Sequence, residues 1–217
     1  MKFYVSGIEV KLHLEPIMVL KGHSLFGYEV LSRAVNKGIY DYERLFISLS
    51  DTEHMALLKW QLTFLLEWQS CYVSSRGDKL HFFINIRRSL LRMPLLSLLI
   101  PYSQQLSIAL EIDERDGDDF SEYELAILLY CQQLGITLWL DDSHAIRDLH
   151  PVWDGVKLDK QVFWSLFEEA RPSLDLWMKN NSGRQLLIEG VVHQGHLDWI
   201  SRYPVSLGQG HYWPSSL

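Results

Sequence analysis

Short apolar runs that each end in a residue able to hold a cation recur along this chain, and nothing else in it constrains the fold so tightly. Phe82-Phe83-Ile84 leads into Asn85, and Ser107-Ile108-Ala109-Leu110 into Glu111. Ile136-Thr137-Leu138-Trp139-Leu140 ends at Asp141-Asp142, Val156 precedes Lys157, Leu186-Leu187-Ile188 precedes Glu189, and Val205-Ser206-Leu207 runs into Gly208-Gln209. Near the N-terminus Leu25-Phe26-Gly27-Tyr28 delivers Glu29. Random placement would scatter such groups over both ends of the strands. Their collection at C-terminal ends is how an α/β barrel assembles a site, because those ends converge on one face.

The 217 residues suffice for one sizeable core but are few for a barrel of this class. A composition of 47% hydrophobic and 22% charged residues fits an ordinary soluble globular domain. No apolar run approaches the ~18–20 residues of a membrane span, and the start lacks the long apolar stretch of a secretory signal. The formal charge of −7 opposes binding of a nucleic-acid polymer, yet leaves room for a small anionic ligand if cations offset the local field. Cys71 and Cys131 have no CxxC spacing, so the expectation is two free thiols in a reducing cytoplasm. Most of the eight Trp residues lie in helix-like or strand-like apolar patterns, which implies core or interface packing and none assigned to base stacking.

With no linker and no repeat, the whole chain, 1–217, is expected to be a single domain. Residues 11–20 and 25–30 suggest a hairpin turning at Lys21-Gly22-His23. Helical spacing appears over 55–68, and 90–100 is an apolar segment interrupted by Pro94 and closed by Pro101. Strands are expected over 80–86, 106–112, 136–142, 155–159, 185–190 and 205–208. Helices are expected over 122–134 (ended by Gly135), 160–169, 173–179 and 194–202. Such alternation implies parallel strands with crossover helices, and a closed barrel explains the polar strand ends better than an open sheet.

Glu29, Asn85, Glu111, Asp141, Asp142 and Glu189 form an all-oxygen set with no His or Cys at ligand spacing, which favours Mg²⁺, Mn²⁺ or Ca²⁺ over zinc. Adjacent aspartates project differently, so one pair can serve two ions, and two ions about 3.5–4 Å apart suit in-line displacement at a phosphate ester. Lys157 could hold the attacking water or stabilise developing negative charge. Singly, each acidic residue could equally cap a helix or face solvent; the set is harder to explain that way.

These same segments resemble the EAL-domain family, bacterial phosphodiesterases specific for cyclic di-GMP. Glu29-Val30-Leu31-Ser32-Arg33 resembles the family signature, and Glu15-Pro16-Ile17 its QPI segment. Phe83-Ile84-Asn85-Ile86 is similar to its Asn-bearing strand, Glu111-Ile112-Asp113-Glu114 to ExTE, and Asp141-Asp142 to the start of DDFGTG. Lys157-Leu158-Asp159 is similar to KxD, Glu189-Gly190-Val191 to EGVE, and Gly208-Gln209-Gly210 to the closing QG turn. The resemblance spans about Leu12 to Leu217, in family order.

It implies a modified TIM-like (β/α)8 barrel that hydrolyses cyclic di-GMP to linear pGpG, lowering that second messenger in the cytoplasm, with the homodimer that is common in that family. Glu29, Asn85, Glu111, Asp141, Asp142 and Glu189 would hold two Mg²⁺ or Mn²⁺ ions. Lys157, Glu189, Gln209 and Glu29 would carry the catalysis. Arg33 would contact a phosphate, Leu31 would pack near a guanine, Glu15 and Asp142 would contact substrate, and Glu114 would brace the loop after Asp142.

The departures are local. Ser143-His144-Ala145-Ile146 replaces Phe-Gly-Thr-Gly, removing two glycines that reach positive φ easily, so the loop is expected to take another path. His144 is expected to be an exposed loop residue. Val192 replaces the second Glu of EGVE, and Glu15 replaces a Gln while still able to accept from guanine N–H groups. These changes motivate an alternative: a degenerate domain acting as a cyclic di-GMP receptor or protein-binding regulator without turnover. A third possibility is a barrel hydrolase using the same carboxylates on another phosphate ester.

Overall fold

A computed structural model of the chain describes residues 3–5, 7–35, 46–72, 80–117, 119–144, 149–169 and 173–214. The strands are β1 (Phe3–Val5), β2 (Ile8–Val19), β3 (Ser24–Ala34), β4 (His81–Asn85), β5 (Ser107–Asp113), β6 (Thr137–Ser143), β7 (Gly155–Leu158), β8 (Gln185–Ile188) and β9 (Leu207–Gln209). The helices are α1 (Asp51–Tyr72), α2 (Met93–Ser103), α3 (Glu122–Gln133), α4 (Lys160–Glu169), α5 (Ser173–Asn180) and α6 (Gln194–Ile200).

Strands pair in chain order from β1 to β9, and β2 also pairs with β9. Eight strands, β2 to β9, therefore close into a barrel, with β1 added antiparallel outside the ring on β2. β3 to β9 run parallel, while β2 is antiparallel to both of its barrel neighbours. The hairpin turn at Lys21-Gly22-His23 imposes this reversal; Gly22 and His23 both have positive φ, 95° and 52°.

A strand points alternate side chains to opposite faces, so one sequence supplies two different packings. Ile17, Phe83, Ala109, Trp139, Leu187 and Leu207 form an apolar layer inside the barrel. Trp139 takes the largest share of it and fills the space where Gly155 has no side chain: a Cβ there would lie 2.5 Å from the indole. The outward residues, such as Phe82, Ile84, Leu110, Leu138 and Val156, pack with Leu62, Leu95, Leu128, Phe163 and Leu197 of the surrounding helices.

Local capping sets the helices. Ser50 and Glu53 bond reciprocally at the start of α1, and Ser121 and Glu124 do so at α3. Gly135, at φ 79°, follows the end of α3 as expected. The segment around Pro94 and Pro101 differs from expectation: it is one helix. Pro94 sits in the first turn of α2, where a missing N–H costs nothing, and Pro101 lies inside the helix, which continues to Ser103. No helix among the described residues is long and apolar enough to cross a membrane. Both cysteines are free, Cys71 exposed and Cys131 buried.

Candidate active site

The apolar layer dictates where the polar residues go. Two positions beyond an inward residue on a strand, the next side chain points inward again, one level nearer the C-terminal end. Phe83 is followed in this way by Asn85, Ala109 by Glu111, Trp139 by Asp141, Gly155 by Lys157, Leu187 by Glu189 and Leu207 by Gln209. Gly27 precedes Glu29 with the same spacing. On antiparallel β2 the order inverts: Glu15 lies two residues before Ile17 and directly opposite Glu29. A hydrophobic plug thus carries a polar layer on top.

At its centre is Lys157, with no exposed surface. Its Nζ lies 2.7 Å from Glu189, 2.8 Å from Asp141, 2.9 Å from Glu111 and 3.5 Å from Glu29. Asn85 Nδ2 donates to Glu29 Oε1 and Glu111 Oε2, each at 3.2 Å, and Gln209 Nε2 donates to Glu29 Oε2. Asn85 therefore turns its amide nitrogen toward the carboxylates. To ligate a cation through oxygen, that amide would turn over.

One ammonium cannot neutralise four carboxylates. Burial holds Lys157 back from protonation, but Asp141, Glu111, Glu189 and Glu29 together raise its pKa well above the ordinary value. Burial raises Glu111 well above the usual carboxylate range, lifts Asp141, and pushes Glu189 up to about 8. Glu29 goes the other way. Burial is its largest single influence and would raise it, but Lys157, Gln209 and Asn85 outweigh that and hold it low.

The carboxylates fall into two triads with Asp141 in both: Glu29, Glu111 and Asp141, and Asp141, Asp142 and Glu189. Within each, one oxygen per residue lies within 4.8 Å of the others. An all-oxygen set of this kind, partly buried and electrically under-compensated, fits hard divalent cations. Asp142 reaches its place through strain: its φ is 49°, and β6 shifts register against β7 between Leu140 and Ser143. Burial and then Asp141 push its carboxyl up to about 6.

Above this floor opens a cavity of about 720 Å³, lined among others by Glu15, Glu29, Leu31, Arg33, Asn85, Asp141, Asp142, Glu189 and Gln209. Glu111 and Lys157 lie beneath it, fully buried. Glu114 is outside the lining; its Oε2 accepts the amide of His144 at 2.6 Å. The His144 ring is half-exposed and lies between Glu114 and Asp159, at 3.7 and 3.6 Å. Ala145 and Ile146, the rest of the altered loop, lie outside the described residues.

Several lining residues escape the motif reading. Arg87 and Arg115 stand at the rim, Arg115 paired with Asp113 and 3.9 Å from Asp142. Phe46, Ile47 and Trp164 also line the cavity. The packing expectation for tryptophan fits Trp60, Trp139, Trp153 and Trp177, which are buried, but not Trp164, which is 37% exposed. Its position on the helix that follows the Lys157 strand was the only available sequence signal.

A family model for the EAL domain matches residues 5–215. No curated protein sequence matches the chain. Solved structures share its fold. Bd1971, described as an EAL enzyme bound to cAMP and cyclic di-GMP, matches at TM-score 0.74 and 19% identity, covering 93% of this chain and 60% of that one. A standalone EAL protein from Vibrio cholerae O395 in its c-di-GMP-bound form matches at TM-score 0.71 and 17% identity, covering 99% and 94%. BlrP1 of Klebsiella pneumoniae, in a manganese and cyclic di-GMP complex, matches at TM-score 0.68 and 16% identity, covering 97% and 56%. The chain thus spans about three fifths of the length of the Bd1971 structure.

Proposed function

The chain belongs to the EAL domain family, and from that premise we propose that it hydrolyses cyclic di-GMP to linear pGpG with two divalent cations, Mg²⁺ or Mn²⁺. The observation that carries the reading is the pair of carboxylate triads sharing Asp141 at the floor of one cavity. Glu29, Glu111, Asp141, Asp142 and Glu189 would hold the ions, with Asn85 completing the set. When bound, they would supply Lewis-acid charge at a phosphate oxygen and an activated water.

The protein's own groups do the positioning. Gln209 and Asn85 fix both oxygens of Glu29, so its orientation is set before any ligand arrives. Lys157 holds a positive charge under the reacting centre, where developing negative charge on the phosphate would be stabilised without solvent screening. Arg33 and Leu31 line the cavity; Arg33 would contact a phosphate oxygen and Leu31 would pack near a guanine. Glu15 could accept from the N–H edge of guanine. Glu114 would brace the strained segment at Asp142 through the His144 amide. The net charge of −7 suits a compact ligand taken up with cations, rather than a nucleic-acid polymer. A cytoplasmic location and a homodimer accompany this reading.

Hydrolysis of cyclic di-GMP with Mg²⁺ or Mn²⁺, comparing the parent with Glu29→Ala, tests it. Formation of pGpG by the parent and its loss in the variant is the expected outcome; a folded parent that yields none sinks the enzyme reading. The altered segment at Ser143-His144 and the apolar Val192 favour one second reading, a cyclic di-GMP receptor or protein-binding regulator. Calorimetry showing tight binding without turnover would select the receptor, and no nucleotide binding the regulator.

A further inference from the structure

In the closed order of eight strands, β3 and β7 stand four places apart, as do β4 and β8, so each pair faces the other across the barrel mouth. One apolar flank of the cavity lies on the β3 side: Leu31 on the strand and Ile47 in the short helical segment ahead of α1, the latter 67% exposed. The other lies on the far side. Trp164 on α4, after β7, is 37% exposed, and Val192, after β8, is 41% exposed; both line the same cavity. Between the flanks lies the carboxylate floor.

Large apolar side chains left exposed at the rim of a polar cavity are the kind of surface a ligand covers. Trp164 is also held in place. Its Nε1 donates to the Gly190 carbonyl at 2.7 Å, tying α4 to the segment just after Glu189. Gly190 permits the approach: its φ is 74°, and a Cβ there would lie 2.6 Å from Lys160 Cβ. An indole fixed by its N–H loses little freedom on meeting a flat partner.

We infer that Trp164, with Val192 on the same flank of the cavity, is a binding platform on which one purine base of the cyclic dinucleotide stacks, across the mouth from the Leu31–Ile47 flank. This rests on the nucleotide-binding reading above. Two apolar flanks separated by a cation-holding floor match a ligand with two planar ends and a doubly anionic centre. Base–aromatic stacking contributes about 1–3 kcal/mol per base.

Calorimetry of the full chain with cyclic di-GMP and Ca²⁺ as the hard cation is the test, with circular dichroism melts confirming that each variant is folded. Trp164→Ala is expected to weaken binding roughly 5- to 100-fold. Trp164→Phe, which keeps a ring but loses the bond to Gly190, is expected to stay close to the parent. Tryptophan emission should fall on ligand addition in the parent, and that fall should shrink in Trp164→Phe at equal saturation. Unchanged affinity in Trp164→Ala overturns the inference and leaves the functional reading standing. Equal weakening in both variants also overturns it, since the Gly190 bond would then be the relevant contact. A folded parent that binds no cyclic di-GMP overturns the nucleotide-binding reading and the inference together.

Discussion

Lys157 shows most clearly how a single residue depends on its surroundings. Its sequence neighbours, Val156 and Leu158, are apolar, and the strand would bury any side chain placed between them facing inward. An isolated buried ammonium would be costly; four carboxylates at 2.7–3.5 Å make it tenable. Lys157→Met should therefore lower stability by about 3–5 kcal/mol in urea titrations with a chelator present, because the carboxylates lose their counter-charge. The deficit should depend on pH. A carboxyl whose folded pKa is raised favours the fold below its unfolded value and loses that contribution as pH rises through the folded one. Lys157 pulls each of the four carboxyls down, so each would titrate higher in the variant; the deficit should be smallest at the acidic end and grow with pH, the Glu189 share entering only above about 8. A pH-independent deficit would contradict the electrostatic account.

At the scale of elements, strand and helix positions follow from alternation, capping and glycine placement, all of which are local. The hairpin, the capped α3 and the three expected helices after it lie close to their expected bounds. Short β1 was missed because three residues carry too little pattern. The β2–β3 hairpin also sets the attachment of Glu29 to the barrel. Gly27 pairs with His81, and a Cβ at Gly27 would lie 2.1 Å from the His81 carbonyl oxygen. Backbone cannot step aside as a side chain can. Gly27→Ala should cost about 1–3 kcal/mol, measured by thermal or urea unfolding, and should reduce activity beyond that loss because β3 carries Glu29. A fully active variant of parental stability would show that β3 and β4 separate freely.

The whole molecule is held by closure. Only three residue pairs join β9 to β2: Ile17 with Gln209, Met18 with Gly208 and Val19 with Leu207. They close the eight-strand ring, seal the apolar layer with Leu207, and bring Gln209 to Glu29 from 180 residues away. Deleting residues 207–217 should abolish the cooperative urea transition followed by circular dichroism, since both β2 and β8 would gain an open edge and the interior layer would be exposed. Retention of a sharp transition would mean that the remaining seven barrel strands form an independent fold.

The sequence by itself determined the strand–helix alternation, the barrel and the oxygen-rich character of its C-terminal face. Each of these depends on period-two patterning and on residues that end a strand, which are properties of neighbours in the chain. It could not show that β2 closes the ring antiparallel on both sides, because that depends on pairings nearly 200 residues apart. Nor could it place Lys157 within 2.7–3.5 Å of carboxylates on, or just past, four other strands, or separate Trp164 at the cavity mouth from Trp139 in the barrel centre. Both tryptophans sit in apolar local sequence, and only closure decides which one is enclosed by other strands and which is left facing the cavity.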